Sequence, residues 1–205
     1  MVVIVRMAYL SDTTKIVASE QDIREALADE TVTNLGVWNT NSILFENPLI
    51  IDRDIEISGL SNKGVEWTLS KEASAIVVTN GATVTFKNLS FDCGYSYRDS
   101  IIVPAYFEVV DSTLRCESVS VMCSSMDALI LGENAKIELE NVYLFGNEKG
   151  IYLDAKEESN SYLKIVDTRF SEIKKLIVSN SANTTVVLPG NFVEFTNAEG
   201  QREWT

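Results

Sequence analysis

The 205-residue chain contains no histidine. That removes the commonest general base, the serine and cysteine triads built on it, and most transition-metal sites. The groups left to act on a substrate are carboxylates, arginines, tyrosines and three thiols. Calcium would need several oxygens converging at one point, yet Asp92, Asp99, Asp111, Asp127 and Asp154 do not share one repeat position. Glycoside hydrolysis would need two carboxyl groups about 5 to 9 Å apart, and no motif sets out such a pair. Arg98 lies in an insertion, while Arg115 and Arg169 fall on different outward rows. No residue is therefore assigned a catalytic role and no cofactor is called for; the acidic chain leaves Ca²⁺ open as a ligand, but no motif indicates it.

Recognition chemistry is better represented. The stretch Asp92-Cys93-Gly94-Tyr95-Ser96-Tyr97-Arg98-Asp99 interrupts an otherwise regular pattern. Tyrosine is rigid and amphipathic, and with arginine it is enriched at recognition surfaces. Insertions on repeat proteins tend to mark the binding face. Tyr95, Tyr97, Arg98 and Asp99 are thus the candidate binding residues. A second insertion, Lys156-Glu157-Glu158-Ser159-Asn160, is polar throughout and reads as a solvated loop.

Composition narrows the partner. Thirty acidic residues against 17 basic ones leave a formal net charge of −13. Such a surface repels phosphate backbones and anionic lipid, so neither nucleic acid nor a membrane surface is an expected partner. No run approaches the roughly 18 apolar residues a membrane-spanning helix needs. A glycan or a protein surface remains. Residues 1–10 are apolar but carry Arg6 inside the run, with no clear cleavage site after it. They read as a first strand, so work outside a cell would imply another export route or a larger parent chain.

The elements that would position these groups are repeats. The pattern apolar-x-apolar-x-(small polar or Gly), usually followed by apolar-x-apolar, recurs six times. Clear copies are Val84-Thr85-Phe86-Lys87-Asn88-Leu89-Ser90-Phe91 and Ile137-Glu138-Leu139-Glu140-Asn141-Val142-Tyr143-Leu144. The small residue runs Gly59, Asn88, Ser118, Asn141, Asp167 and Gly190, in steps of 29, 30, 23, 26 and 23. Glycine, asparagine and aspartate tolerate positive φ, and serine can bond nearby backbone, so each is read as a tight bend between two strands. A further short strand precedes most copies, as in Phe107–Val110 and Ile151–Leu153. Short β segments at this period, with no helix inside them, predict an all-β right-handed parallel β-helix of about six coils. A leucine-rich repeat is rejected because its consensus and convex-side helix are absent.

One helix is expected before the coils. Ser19-Glu20-Gln21-Asp22 resembles a capping box, and Ile23, Ala26 and Leu27 form an apolar stripe. It would cover the first coil, whose open strand edges otherwise invite aggregation. The chain is read as one domain over 1–205: a strand and capping helix over 1–31, coils over 32–196, and a C-terminal tail over 197–205.

The same alignment makes side-chain predictions. Thr85, Arg115, Glu138 and Lys164 should stack as an outward row, with Glu117 beside Glu140. Cys116 takes the slot of Phe86 and Leu139, so it should be buried. Cys93 and Cys123 each follow an equivalent slot (Phe91, Val121) by two residues, which puts their Cα atoms about 4.8 Å apart, the spacing of neighbouring strands. Without a recognisable signal peptide all three thiols are expected to be reduced, with mild oxidant joining Cys93 to Cys123.

The helix over 19–29, then Leu35-Gly36-Val37-Trp38, Ile43-Leu44-Phe45, Leu49-Ile50-Ile51 and Ile55-Glu56-Ile57-Ser58-Gly59, resembles the opening of pectate-lyase-like β-helix proteins. It is most similar to the non-catalytic adhesive variant found in microbial surface proteins. With the coils, the likeness covers about 19–196. It implies an extracellular, cell-surface or virion setting, and a non-catalytic binding, adhesion or structural role. A lyase of this superfamily would use an acidic Ca²⁺ cluster and a basic residue near the substrate carbon, and no residue here matches that motif. A polysaccharide lyase or hydrolase with an unfamiliar acidic site is the alternative function, and a virion or filament component the third.

Overall fold

The computed structural model describes residues 13–38, 42–61, 65–70, 73, 75–93, 103–123, 126–154 and 160–205. The expected strand over 1–10 and the insertion residues 156–159 lie outside them.

The alternation of apolar and polar residues is realised as strands that bury every second side chain. In Thr83–Lys87, for example, Val84 and Phe86 are fully buried while their neighbours are half-exposed. Three strands close one coil, and each joins a different sheet. The first sheet stacks Asn34–Val37, Ile55–Gly59, Thr83–Lys87, Thr113–Glu117, Lys136–Glu140 and Tyr162–Val166. The second stacks Ile43–Phe45, Val65–Leu69, Leu89–Cys93, Ser120–Met122, Tyr143–Phe145 and Arg169–Ser171. The third stacks Leu49–Ile51, Ile76–Val78, Val103–Val110, Met126–Glu133, Lys149–Asp154 and Lys175–Ser179. All these neighbours pair in parallel. The result is a right-handed parallel β-helix of six coils.

The interior is one continuous column. Its early coils hold an aromatic cluster, in which Trp67 meets Phe45 at 4.8 Å and Phe91 at 5.6 Å, and Phe91 meets Phe107 at 4.9 Å. Tyr106 is fully buried, and its hydroxyl donates to the carbonyls of Trp67 and Asp92. A buried phenol needs such partners.

Both ends are closed. A strand over Thr14–Val17 extends the first sheet by one, a strand not picked out in the sequence, and leads into the helix Glu20–Leu27. Ser19 caps that helix, its hydroxyl accepting from Asp22 N, while the Asp22 carboxylate accepts from Ala18 N. Ile23 and Ala26 face the column. At the other helix end the Arg53 guanidinium donates to the carbonyls of Ala26, Leu27 and Asp29 at 3.0–3.1 Å, and to that of Val32. A cation there satisfies orphan carbonyls and opposes the negative end of the helix dipole.

The C-terminal end departs from the sequence reading. No parallel strand follows the sixth copy at Gly190, and residues 197–205, read as a tail, contain a strand. Glu194–Thr196 and Arg202–Trp204 form an antiparallel hairpin, and its second strand pairs antiparallel with Lys175–Ser179. Pro189 and the Asn197–Gln201 turn redirect the chain, since Asn197 accepts from both Glu199 N and Gln201 N. Only Thr185–Val187 continues the first sheet.

The bend assignments split. Asn88, Ser118, Asn141 and Asp167 have φ of 53°, 55°, 53° and 47°, as their residue types require. Gly59 and Gly190 are not left-handed turns. Gly59 ends a strand in register with Val37, and a Cβ there would collide with the backbone carbonyl of Asn88 in the next coil. Its glycine serves close approach, not curvature. A Cβ on Gly190 would meet nothing within 4 Å.

Candidate functional site

Tyr95, Tyr97, Arg98 and Asp99 lie outside the described residues. The strands on either side of their insertion are placed: one ends at Cys93 and the next begins at Val103. Cys93 is bonded to Cys123, with Cα atoms 5.3 Å apart. The register is the one read from sequence: Phe91 pairs with Val121 and stacks the two cysteines within bonding reach, and they are joined where a reduced pair was expected. Cys116 is free and buried, and burial pushes its thiol far up.

The outward rows of the first sheet follow the expected register. Thr85, Arg115, Glu138 and Lys164 are consecutive partners, and Glu117 pairs with Glu140. Arg115 reaches Glu138 at 2.7 Å. Lys87 bridges Glu56 at 2.9 Å and Glu117 at 3.3 Å, and the hydrogen bond to Glu56 above all raises its pKa. These pairs are exposed and contribute little beyond holding register.

The left-handed residues mark a concave corner between the first and second sheets. Three of the bend residues are followed by a buried apolar residue and then an outward one: Asn88-Leu89-Ser90, Ser118-Val119-Ser120, Asn141-Val142-Tyr143. Stacked coil on coil, the first two triplets and Asn141 line an open groove of about 690 Å³ that begins at Gly59, Leu60 and Ser61. None of the described residues lining it is ionisable. Ser120 Oγ donates to Ser90 Oγ at 2.8 Å, and Asn141 Nδ2 donates to Ser118 Oγ at 3.0 Å. These bonds hold hydroxyl and amide groups in place while leaving each free capacity to accept or donate.

Tyr143 pairs in register with Ser120, so its half-buried ring continues the outward row, and Arg169 follows it. A second groove of similar size shares Asn141 and runs on past Asp167 and Arg169 to Phe192. Chemically the corner can hydrogen-bond a polar, uncharged chain and stack against it. Sequence reasoning named Asn88, Ser118 and Asn141 for their bends but not Ser90, Ser120 and Tyr143 for their surface. The signal was present in the outward slot two residues beyond each bend.

Two carboxyl groups elsewhere are pushed up. Glu108 is raised by desolvation on the outer face of the third sheet, between Val77 and Leu131. Asp92 is raised by desolvation and by the charge of Glu66, on the outer face of the second sheet. They stand on different sheets. On the third sheet Lys149 is held 2.7 Å from Asp127 and 4.7 Å above the Tyr152 ring, while Asn180 donates to Asp154. Among the described residues no group of three or more His, Cys, Asp or Glu side chains could hold a metal ion. Comparison with protein-family models, curated proteins and solved structures found no match to the chain.

Proposed function

We propose that this β-helix is a non-catalytic binding module that presents its concave corner to a glycan. The observation carrying this reading is the groove itself: hydroxyl and amide side chains repeated on successive coils, with no ionisable group among the described residues that line it. Sugars offer hydroxyls in fixed directions and apolar ring faces. Pre-placed serine and asparagine groups beside a tyrosine complement both. The parallel ladders hold these groups on rigid strands, so little conformational freedom is lost on binding. The raised carboxyls of Asp92 and Glu108 do not face one another from a single sheet, which disfavours an acid–base pair.

Titration calorimetry against a panel of neutral and uronate oligosaccharides tests this, run beside lyase and hydrolase assays with and without Ca²⁺. Saturable binding without product formation is expected. Turnover of any of these glycans, or no binding across the panel, overturns the proposal.

A further inference from the structure

We infer that the side chains of Lys175 and Asn197 join through an amide bond that the protein forms by itself, with Glu203 carrying the protons. The site lies at the C-terminal cap on the third sheet, so its test is separate from what the corner groove binds.

Three side chains converge there. Glu203, on the second strand of the closing hairpin, has a side chain only 7% exposed. Its Oε1 accepts from Lys175 Nζ at 3.0 Å and also from Asn197 Nδ2. An amine and a carboxamide thus meet at a single carboxylate oxygen. Asn197 is fixed from its other side as well, because its Oδ1 accepts from Glu199 N at 3.0 Å and from Gln201 N at 2.9 Å. The turn itself requires only that Oδ1. The Nδ2 laid on the oxygen that holds the lysine is a further feature, and it is the one that brings nucleophile, carbonyl and carboxylate together.

Attack of an amine on an amide carbon needs a base for the amine's proton, donors for the charge that develops on the carbonyl oxygen, and an acid for the departing nitrogen. Lys175 starts protonated, since its hydrogen bond to Glu203 above all raises its pKa. Glu203 takes a proton from Nζ, and the freed lone pair adds to Cγ of Asn197. The Glu199 and Gln201 N–H groups stabilise the charge on Oδ1. The Nζ–Cγ bond forms and the Cγ–Nδ2 bond breaks. Of the three protons on Nζ, one remains as the amide N–H and two pass by way of Glu203 to Nδ2, which departs as ammonium. Nothing is oxidised or reduced. The carboxylate ends as it began, ionised and accepting from the new N–H. The product ties the hairpin covalently to the strand Lys175–Ser179.

Mass spectrometry of the intact, oxidised protein after prolonged incubation at neutral pH tests this, followed by peptide mapping. Wild type should weigh one ammonia less than its disulfide-bonded sequence, and a digest should contain a branched peptide joining Lys175 to Asn197. Succinimide formation at Asn80-Gly81 would lose the same mass, so the branched peptide decides. Lys175→Arg and Glu203→Gln, checked for folding by circular dichroism, should keep the full mass and give no such peptide. Wild type at full mass, a branch through a different pair, or a branch formed equally well in Glu203→Gln would overturn the inference.

Discussion

Cys93 and Cys123 are bonded between adjacent coils, 30 residues apart in sequence and 5.3 Å apart at Cα. The bond lies beside the insertion that leaves the second sheet after Cys93, and it ties that coil to the next. Closing a loop of this length removes freedom from the unfolded chain, so Cys123→Ser should lower stability by about 2–4 kcal/mol. Denaturant melts of oxidised and reduced protein measure the difference. Peptide mapping should recover the 93–123 pair, with Cys116 unreactive until the chain unfolds.

Gly59 and Gly190 separate two uses of glycine. Gly59→Ala places a methyl against the backbone carbonyl of Asn88, which is held at a tight bend between two strands and cannot yield cheaply. A cost of about 1–3 kcal/mol is expected, in the range of overpacking. Gly190→Ala meets open space without a left-handed φ and should change stability by less than about 0.5 kcal/mol. Thermal melts of the two variants compare them directly.

Asn141→Leu acts at a bend with φ 53° that also donates to Ser118. A branched apolar residue is strained there and loses the bond, so about 1–3 kcal/mol should be lost. Asn141→Gly, which relieves the strain, should retain most of the stability. Equal losses in the two variants would show that the hydrogen bond, not the backbone, sets the cost.

Much of this architecture was legible because a solenoid repeats its reasoning six times. One alignment of the bends placed Thr85, Arg115, Glu138 and Lys164 in one row and Phe91 over Val121. The bends at Asn88 and Asn141 announced themselves because few side chains accept positive φ. The strand Val65–Leu69 was missed, although Val65, Trp67 and Leu69 alternate cleanly. Five residues, 60–64, separate it from the strand that ends at Gly59, where one or two separate the corresponding strands of the later coils, so it drops out of the bend alignment. The closing hairpin was missed because Val193 and Phe195 alternate equally well in a parallel or antiparallel strand. The groove could not be read from any one copy: it exists only where outward slots of separate coils stack.

The hairpin should be sensitive to acid. Burial alone would raise the Glu203 carboxyl, but donation from Asn197 and Lys175 outweighs it and holds the pKa below its ordinary value. A depressed carboxyl stabilises the fold above the unfolded pKa of about 4.3, and the contribution is lost as pH falls through the folded value. The resonance of the buried Trp204 indole, followed from pH 6 down to pH 2, should report loosening below about pH 4. Glu203→Gln should weaken the hairpin at pH 6 and remove that acid step.

The most direct test of the account is backbone-amide NMR of the ¹⁵N-labelled protein titrated with the tightest-binding neutral oligosaccharide from the panel. Shifts centred on Asn88, Ser90, Ser118, Ser120, Asn141 and Tyr143 are expected, with the third-sheet face around Glu108 and Tyr152 unmoved. Shifts confined to the third sheet, or spread without relation to the corner, would contradict the assignment of the groove as the binding surface.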